Sequence, residues 1–234
     1  MDTLIQSLSE LNIGIDDEQV SLFNRYYDLL ILRNREMNLT SVTEREDVIL
    51  KHFVDSIALL KYYDPSDKDI IDVGSGAGFP GVPLGIMCRS CRIVLLDSSG
   101  KKVSFLNDLV VELGLSGVTA IHGRAEDLAH DIHFRERFDA AVSRAVSNLS
   151  TLFEYCLPFV NNNGVFISYK SGNIDDELLN AGNAVDKLNG RIGSVEKFTI
   201  PGSDYSRSFV FIDKIGNTPD MYPRRAGIPS RKPL

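Results

Sequence analysis

The stretch Ile70-Ile71-Asp72-Val73-Gly74-Ser75-Gly76-Ala77-Gly78-Phe79-Pro80-Gly81 runs an apolar segment into a glycine-rich turn. Glycines let the backbone come close to a ligand, and a helix starting there offers N–H groups free of internal partners. Two spacings overlap. Gly76-x-Gly78-x-x-Gly81 fits the dinucleotide fingerprint, and Asp72-x-Gly74-x-Gly76-x-Gly78 fits the first motif of S-adenosylmethionine-dependent methyltransferases. The segment alone does not choose between them. Asp97 ends the next apolar run, where an acid can accept hydrogen bonds from ribose hydroxyls in either cofactor. The third run leads into Gly123-Arg124-Ala125-Glu126-Asp127, and methyltransferases commonly set adenine against an acid-containing turn there. That favours S-adenosylmethionine. A nicotinamide-dependent oxidoreductase stays as the alternative, although no separate substrate domain or His–Tyr–Lys grouping supports it.

The acceptor is narrowed by exclusion. After the fourth apolar run stands Ser143-Arg144-Ala145-Val146, not the Asn/Asp-Pro-Pro-aromatic motif usual in methylation of exocyclic amino groups. Methylation of pyrimidine C5 requires a cysteine nucleophile, and Cys156 sits in an apolar helical stretch suited to packing. What remains is an acceptor that already has a lone pair. Guanine N7 is one: it carries no proton at neutral pH, so transfer depends on in-line placement and needs no general base.

Other residues invite weaker readings. His52, Asp55 and Ser56 share a helix face at i, i+3 and i+4, able to orient a ligand or to fasten the helix. Residues 221–234 hold Arg224, Arg225, Arg231 and Lys232 and no acid. This +4 tail on a chain of net charge −7 suits local contacts with phosphates, and weak non-specific affinity elsewhere. Lys170, at the end of the fifth run, could join them. Cys88-Arg89-Ser90-Cys91 is half a metal site without a matching second pair, so no metal is expected. His130 and His133 read as part of a polar surface turn.

The elements that must position these residues follow from periodicity. Val20, Phe23, Tyr27 and Leu30, behind the capping candidates Asp16 and Asp17, predict a helix, and Ile49, Phe53, Ile57 and Leu60 predict another. Strands are expected at 70–73, 92–96, 118–122, 138–143 and 165–169. The helix-like stretches between them include Val103, Leu106, Val110 and Leu113, stopped at Gly114. Alternation of this kind implies a doubly wound, Rossmann-like α/β sheet with right-handed crossovers and an N-terminal helical extension. Residues 191–200 and 208–215, joined without a helix, read as an antiparallel pair closing the sheet. The expected organisation is a helical segment over 1–65, a cofactor-binding domain over 66–220, and a basic tail over 221–234 packed on or near the active site. The 234 residues, 43% hydrophobic and 24% charged, suit a soluble globular protein with a sizeable core. No apolar run reaches the roughly 20 residues of a membrane span, no secretory signal opens the chain, and three cysteines fit a reducing cytoplasm.

Nearly end to end, the chain resembles the RsmG (GidB) family of bacterial small-subunit rRNA guanine-N7 methyltransferases. The resemblance rests on Asn38-Leu39-Thr40, Lys51-His52-Phe53-x-Asp55-Ser56, the glycine segment from Asp72 to Gly81, Gly123-Arg124-Ala125-Glu126 and Ser143-Arg144-Ala145. It extends to the terminal Tyr222-Pro223-Arg224-Arg225-x-Gly227-x-Pro229-x-Arg231-Lys232-Pro233-Leu234. One departure is Lys170-Ser171-Gly172, where the family more often reads Lys-Gly. The resemblance implies methylation of N7 of a single guanosine, position 527, in the decoding-region 530 loop of 16S rRNA, with S-adenosylmethionine as donor. It also implies a site. Gly74 and Phe79 are expected on the methionine and ribose side of the cofactor, and Ala125 and Glu126 at the adenine. Asp72, Ser75, Gly76, Gly78 and Asp97 belong to the same cofactor set. Arg144 is expected to bind cofactor and help place the guanine, as the catalytic candidate. His52, Lys170, Arg224, Arg225, Arg231 and Lys232 are the expected RNA contacts. A small-molecule methyltransferase and a purely RNA-binding assembly factor are the other readings.

Overall fold

The computed structural model describes residues 1–144 and 147–234; Ala145 and Val146, part of the turn singled out after Arg144, lie outside the described residues. Among the described residues, seven apolar runs become the strands β1 (Asp69–Val73), β2 (Arg92–Asp97), β3 (Val118–His122), β4 (Phe138–Arg144), β5 (Val160–Ser171), β6 (Gly190–Thr199) and β7 (Ser206–Lys214). They form one sheet in the order β3-β2-β1-β4-β5-β7-β6. Strands β1 to β5 pair in parallel, and β7 runs antiparallel to both β5 and β6. The chain goes outward from β1 to β3 and then returns to β4 beside β1. That reversal is where open α/β sheets form a ligand crevice at the carboxyl ends of the strands.

Each sheet face has its own core. One joins the first helices, α1 (Asp2–Glu10) and α2 (Asp17–Met37), to α5 (Gly81–Met87) and α6 (Gly100–Glu112) through Leu8, Phe23, Tyr26, Phe53, Val82 and Leu106. Residues from the 1–65 segment thus share this core with the helices and strands that follow it. The other core holds α7 (Ala125–Leu128), α8 (Leu149–Cys156) and α9 (Asp175–Lys187), and it takes in Tyr222 from the C-terminal strap. Cys156 is fully buried there.

Asp16 caps α2 in a reciprocal capping box with Gln19. The buried face of α2 is Leu22, Phe23, Tyr26 and Leu30, turned from the expected stripe so that Tyr26 rather than Tyr27 points inward. Its hydroxyl supplies the reason, donating to the carbonyl of Ala77 in the glycine turn at 2.7 Å. The expected helix around Phe53 is composite: α3 (Arg45–Val48), a π-helical turn (Ile49–Val54), α4 (Asp55–Ile57) and a 3-10 turn (Ala58–Lys61). Such π turns interrupt helices often at functional sites, and this one carries Lys51 and His52. A last short helix, α10 (Ile228–Arg231), ends the chain. No helix among the described residues is long and apolar enough to cross a membrane.

Candidate cofactor cleft and acceptor pocket

Two hollows open side by side at the carboxyl edge of the sheet. The first, about 390 Å³, is lined by Val73 and Gly74 after β1, Leu96, Asp97 and Ser98 after β2, residues Gly123 to Glu126 after β3, and Tyr155, Gly227 and Ser230. The second, about 550 Å³, is lined by Lys51, His52 and Asp55 from the π turn and α4, Arg144, Tyr169 and Lys170 from β4 and β5, and Arg207 from β7. Ser147 lines both. The two hollows therefore meet at the switch between β1 and β4.

The first hollow is shaped for a nucleoside. Asp97, 6% exposed, closes the glycine turn by accepting from Gly76 N at 2.9 Å and from Ser99 N at 2.8 Å. Glu126 accepts from Gly227 N at 3.0 Å and faces the hollow beside the Ala125 backbone. The turn is fixed from below. Asp72 is fully buried, its Oδ2 accepting from Gly81 N at 2.9 Å while Oδ1 has no hydrogen-bond partner among the described residues. Burial pushes its carboxyl up to about 7, against the pull of Gly81 N–H and Ser75. This buried carboxyl without a full set of partners, the acid-bearing β2 and β3 turns and the exposed backbone of Gly74 fit S-adenosylmethionine. Asp97 and Glu126 would hold its ribose and adenine ends, and Asp72 would sit behind its methionine end.

Other expected cofactor residues act on the turn itself. The Ser75 hydroxyl donates inward to Asp72 O at 2.9 Å, and its N–H bonds to Leu96 O. Both groups are spent inside the loop, so Ser75 shapes it and does not line the hollow. Gly78, at φ +103°, gives clearance: a Cβ there would lie 2.7 Å from the Tyr26 hydroxyl oxygen. Phe79, 5% exposed, is likewise not in the hollow. It stacks on His52 (ring centroids 4.5 Å apart) and Tyr26 (5.2 Å), and the Arg144 guanidinium lies over it at 5.0 Å.

Around that ring the second hollow is organised. Arg144 Nη1 donates to Asp55 Oδ2 at 2.7 Å and to Lys51 O at 3.0 Å, and Arg207 Nε donates to Asp55 Oδ1 at 3.0 Å. One buried carboxylate thus holds two guanidinium groups. Arg144 Nη2 lies 3.2 Å from His52 Nδ1, and His52 Nε2 lies 2.9 Å from Thr40 Oγ1. Burial, helped by Arg144, holds the imidazole down to about 3, so His52 is neutral; its Nδ1 stands 3.0 Å from the Lys51 carbonyl oxygen as well as beside Arg144, and its Nε2 faces the Thr40 hydroxyl. Lys170 Nζ donates to Ser147 O at 2.8 Å and pairs with Glu177 at 2.7 Å.

The basic tail divides. Arg224 grips the fully buried Glu154 with its guanidinium at 2.6–3.1 Å and its own N–H at 2.7 Å. Its charge is neutralised inside the fold, which removes it from the expected phosphate contacts; Arg225, Arg231 and Lys232 are exposed. His130 Nε2 donates to Pro223 O at 2.8 Å, and Arg135 donates to the carbonyls of Tyr222, Thr218 and Pro219, so the turn at 130–135 anchors the strap.

Arg207, Glu154, Arg135 and Tyr26 were not anticipated. Two had a readable signal. The first residues of an antiparallel closing strand fall on the same edge as the last residues of the parallel ones, and Arg207 stands opposite Ser171 at the end of β5. Glu154 is an acid inside an otherwise apolar helical stretch, which calls for a cation from elsewhere in the chain.

Comparison with known proteins decides the lineage. The sequence profile of the GidB family, described as rRNA small subunit methyltransferase G, matches residues 19–205. The chain belongs to the GidB family. Family members named ribosomal RNA small subunit methyltransferase G are 44% identical to it in both Lachnoclostridium phytofermentans and Dehalococcoides mccartyi. The first alignment covers 99% of this chain and 96% of that relative, and the second covers both chains entirely. Membership makes the chain an S-adenosylmethionine-dependent rRNA methyltransferase. Among solved structures, M. jannaschii TYW2 in complex with AdoMet superposes with a TM-score of 0.57 at 12% identity, over 75% of this chain and 80% of that one. A SAM-dependent methyltransferase from Aquifex aeolicus gives 0.57 at 15% identity, over 76% and 98%. At these identities the likeness is one of fold, the class I methyltransferase sheet that the GidB profile also implies.

Proposed function

We propose that this methyltransferase modifies N7 of a single guanosine, position 527, in the decoding-region loop of 16S rRNA, in the cytoplasm where small subunits are assembled. The observation carrying this reading is that, among the described residues, the titratable side chains of the acceptor pocket are engaged with one another rather than set up as a general base. Burial and Arg144 hold His52 neutral and make it a weak base, Asp55 is shared by two arginines, and Glu177 pairs with Lys170 at 2.7 Å. An acceptor atom with its own lone pair needs no such base, and guanine N7 meets that condition. The cofactor, when bound, supplies an electrophilic methyl group on a sulfonium centre. The chain supplies placement: Asp97 and Glu126 fix the nucleoside, Asp55 holds Arg144 and Arg207 in the wall of the acceptor pocket, and Lys51 and Lys170, paired with Asp47 and Glu177, border it. Arg144 touches both the Phe79 shelf and the pocket, the position from which it helps hold the guanine. Arg225, Arg231 and Lys232 would meet backbone phosphates, which position RNA without reading its sequence.

The test is methyl transfer from labelled S-adenosylmethionine to small subunits lacking N7 methylation, with mapping of the modified nucleotide. Label at position 527 alone is the expected result. Label on an exocyclic amine or another nucleotide, or none despite cofactor binding, would sink the assignment.

A further inference from the structure

The strap does more than carry cations. Its first part, from Tyr222 to Arg224, is locked by the Glu154 pair, by His130 and by Arg135. Residues 227–230 are held far more lightly. Their polar ties to the body of the protein include Gly227 N to Glu126 Oε1 at 3.0 Å and the Thr151 hydroxyl to Pro229 O at 3.1 Å, and of the four residues Pro229 is the buried one. Ile228 is 38% exposed, and α10 is a single turn. Yet Gly227 and Ser230 form part of the wall of the nucleoside hollow, facing Glu126 and Tyr155. Tyr155 stands between them, its hydroxyl beside both Glu126 and Ser230. The strap also lies beyond the residues matched by the family profile, which end at 205.

We propose that residues 227–230 are part of the cofactor site, so that docking of the strap and occupation of the hollow by a purine nucleoside cofactor strengthen one another. The inference rests on the first hollow being the cofactor site. Its physical basis is the shared carboxylate: Glu126 accepts from the strap through Oε1 and also lines the hollow. A nucleoside in the hollow adds contacts to a segment that is otherwise lightly tied, and by linkage a docked strap must raise nucleoside affinity by the same factor. Arg225, Arg231 and Lys232 flank residues 227–230, so a cofactor-loaded enzyme presents its RNA-facing cations in a more fixed array than an empty one.

The experiment is calorimetric titration of the full chain with S-adenosylhomocysteine, comparing wild type with Arg224→Ala and Thr151→Val. Both variants loosen the strap from outside the hollow, and Thr151→Val keeps side-chain shape, so it carries the test if Arg224→Ala does not fold. Hydrogen exchange of the Gly227 and Ile228 amides is read with and without ligand. Expected are a dissociation constant weaker by about fivefold or more in Arg224→Ala, a smaller change in the same direction in Thr151→Val, recovery in Thr151→Ser, and slowed exchange at Gly227 in loaded wild type. Wild-type affinity in the folded variants, or exchange at Gly227 indifferent to ligand, overturns the proposal. A wild-type chain that does not bind S-adenosylhomocysteine instead overturns the cofactor assignment itself, and the coupling with it.

Discussion

Asp55 accepts from Arg144 on one oxygen and from Arg207 on the other, with 4% of the residue exposed. Removing one partner of a buried charge cluster leaves the others uncompensated, so Asp55→Ala should lower unfolding free energy by about 3–5 kcal/mol. Methyl transfer should fall about a hundredfold through misplacement of both arginines. Denaturant unfolding and single-turnover transfer, measured on the same preparation, check the two effects. Asp72 and His52 then pull stability in opposite directions over nearly the same pH range. A buried carboxyl raised to about 7 keeps its proton in the folded state after the unfolded chain has lost its own, so that contribution is lost as pH rises from about 4 to about 7. A histidine held at about 3 stays neutral while the unfolded chain takes up a proton, so its contribution is lost as pH falls from about 6.5 towards 3. In denaturation curves across this range, the stability of wild type relative to Asp72→Asn should decline with rising pH, and relative to His52→Gln with falling pH. A flat difference for either pair would remove that residue from the account.

The glycine turn works as a joint between elements. A Cβ on Gly81 would stand 2.3 Å from Leu95 Cδ2 on β2 and 2.9 Å from Asp72 Oδ2 on β1, so α5 reaches the sheet only because that atom is missing. Gly81→Ala should displace α5, lower stability by about 1–3 kcal/mol and weaken cofactor binding, read by thermal unfolding and calorimetry. Unchanged cofactor affinity would show that α5 placement does not set the hollow. Elements of this kind were legible because strands and turns are local. Every strand fell at or within a few residues of its expected place (β5 starting earliest, at Val160), and the antiparallel closing pair did too, since alternation and turn residues are written in neighbouring positions. The π turn at Ile49–Val54 was not legible. Its apolar spacing reads as an ordinary helix, and only the docking of His52 and Asp55 against Phe79 and Arg144 selects the wider turn.

Across the whole molecule, charge is arranged by what is neutralised inside. The chain is net −7, yet the acceptor pocket is bordered by Lys51, Arg144, Lys170 and Arg207, and the strap adds Arg225, Arg231 and Lys232 on the outside. Neutralising those three strap residues to Gln should weaken RNA binding and reduce the slope of log affinity against log salt by about 2, at roughly 0.7 for each phosphate left without its cation on single-stranded RNA. Filter binding across a salt series checks this, and an unaltered slope would show that the strap does not touch phosphate. The division of the tail was beyond the sequence. A count of positive charges treats Arg224 and Arg225 alike, and only the burial of Glu154, in a helix far earlier in the chain, separates them.

The Glu154–Arg224 pair also divides the molecule into a sheet that is complete without the strap and a site that is not. All seven strands are complete at Lys214, ten residues before Arg224. Without the strap Glu154 lacks its arginine in the interior of α8, and Glu126 has no Gly227 N–H from which to accept. A chain with all seven strands but no strap therefore lacks one wall of its nucleoside hollow. A released chain cut short of the strap should therefore keep its seven strands and bind the cofactor poorly, read by circular dichroism and calorimetric titration.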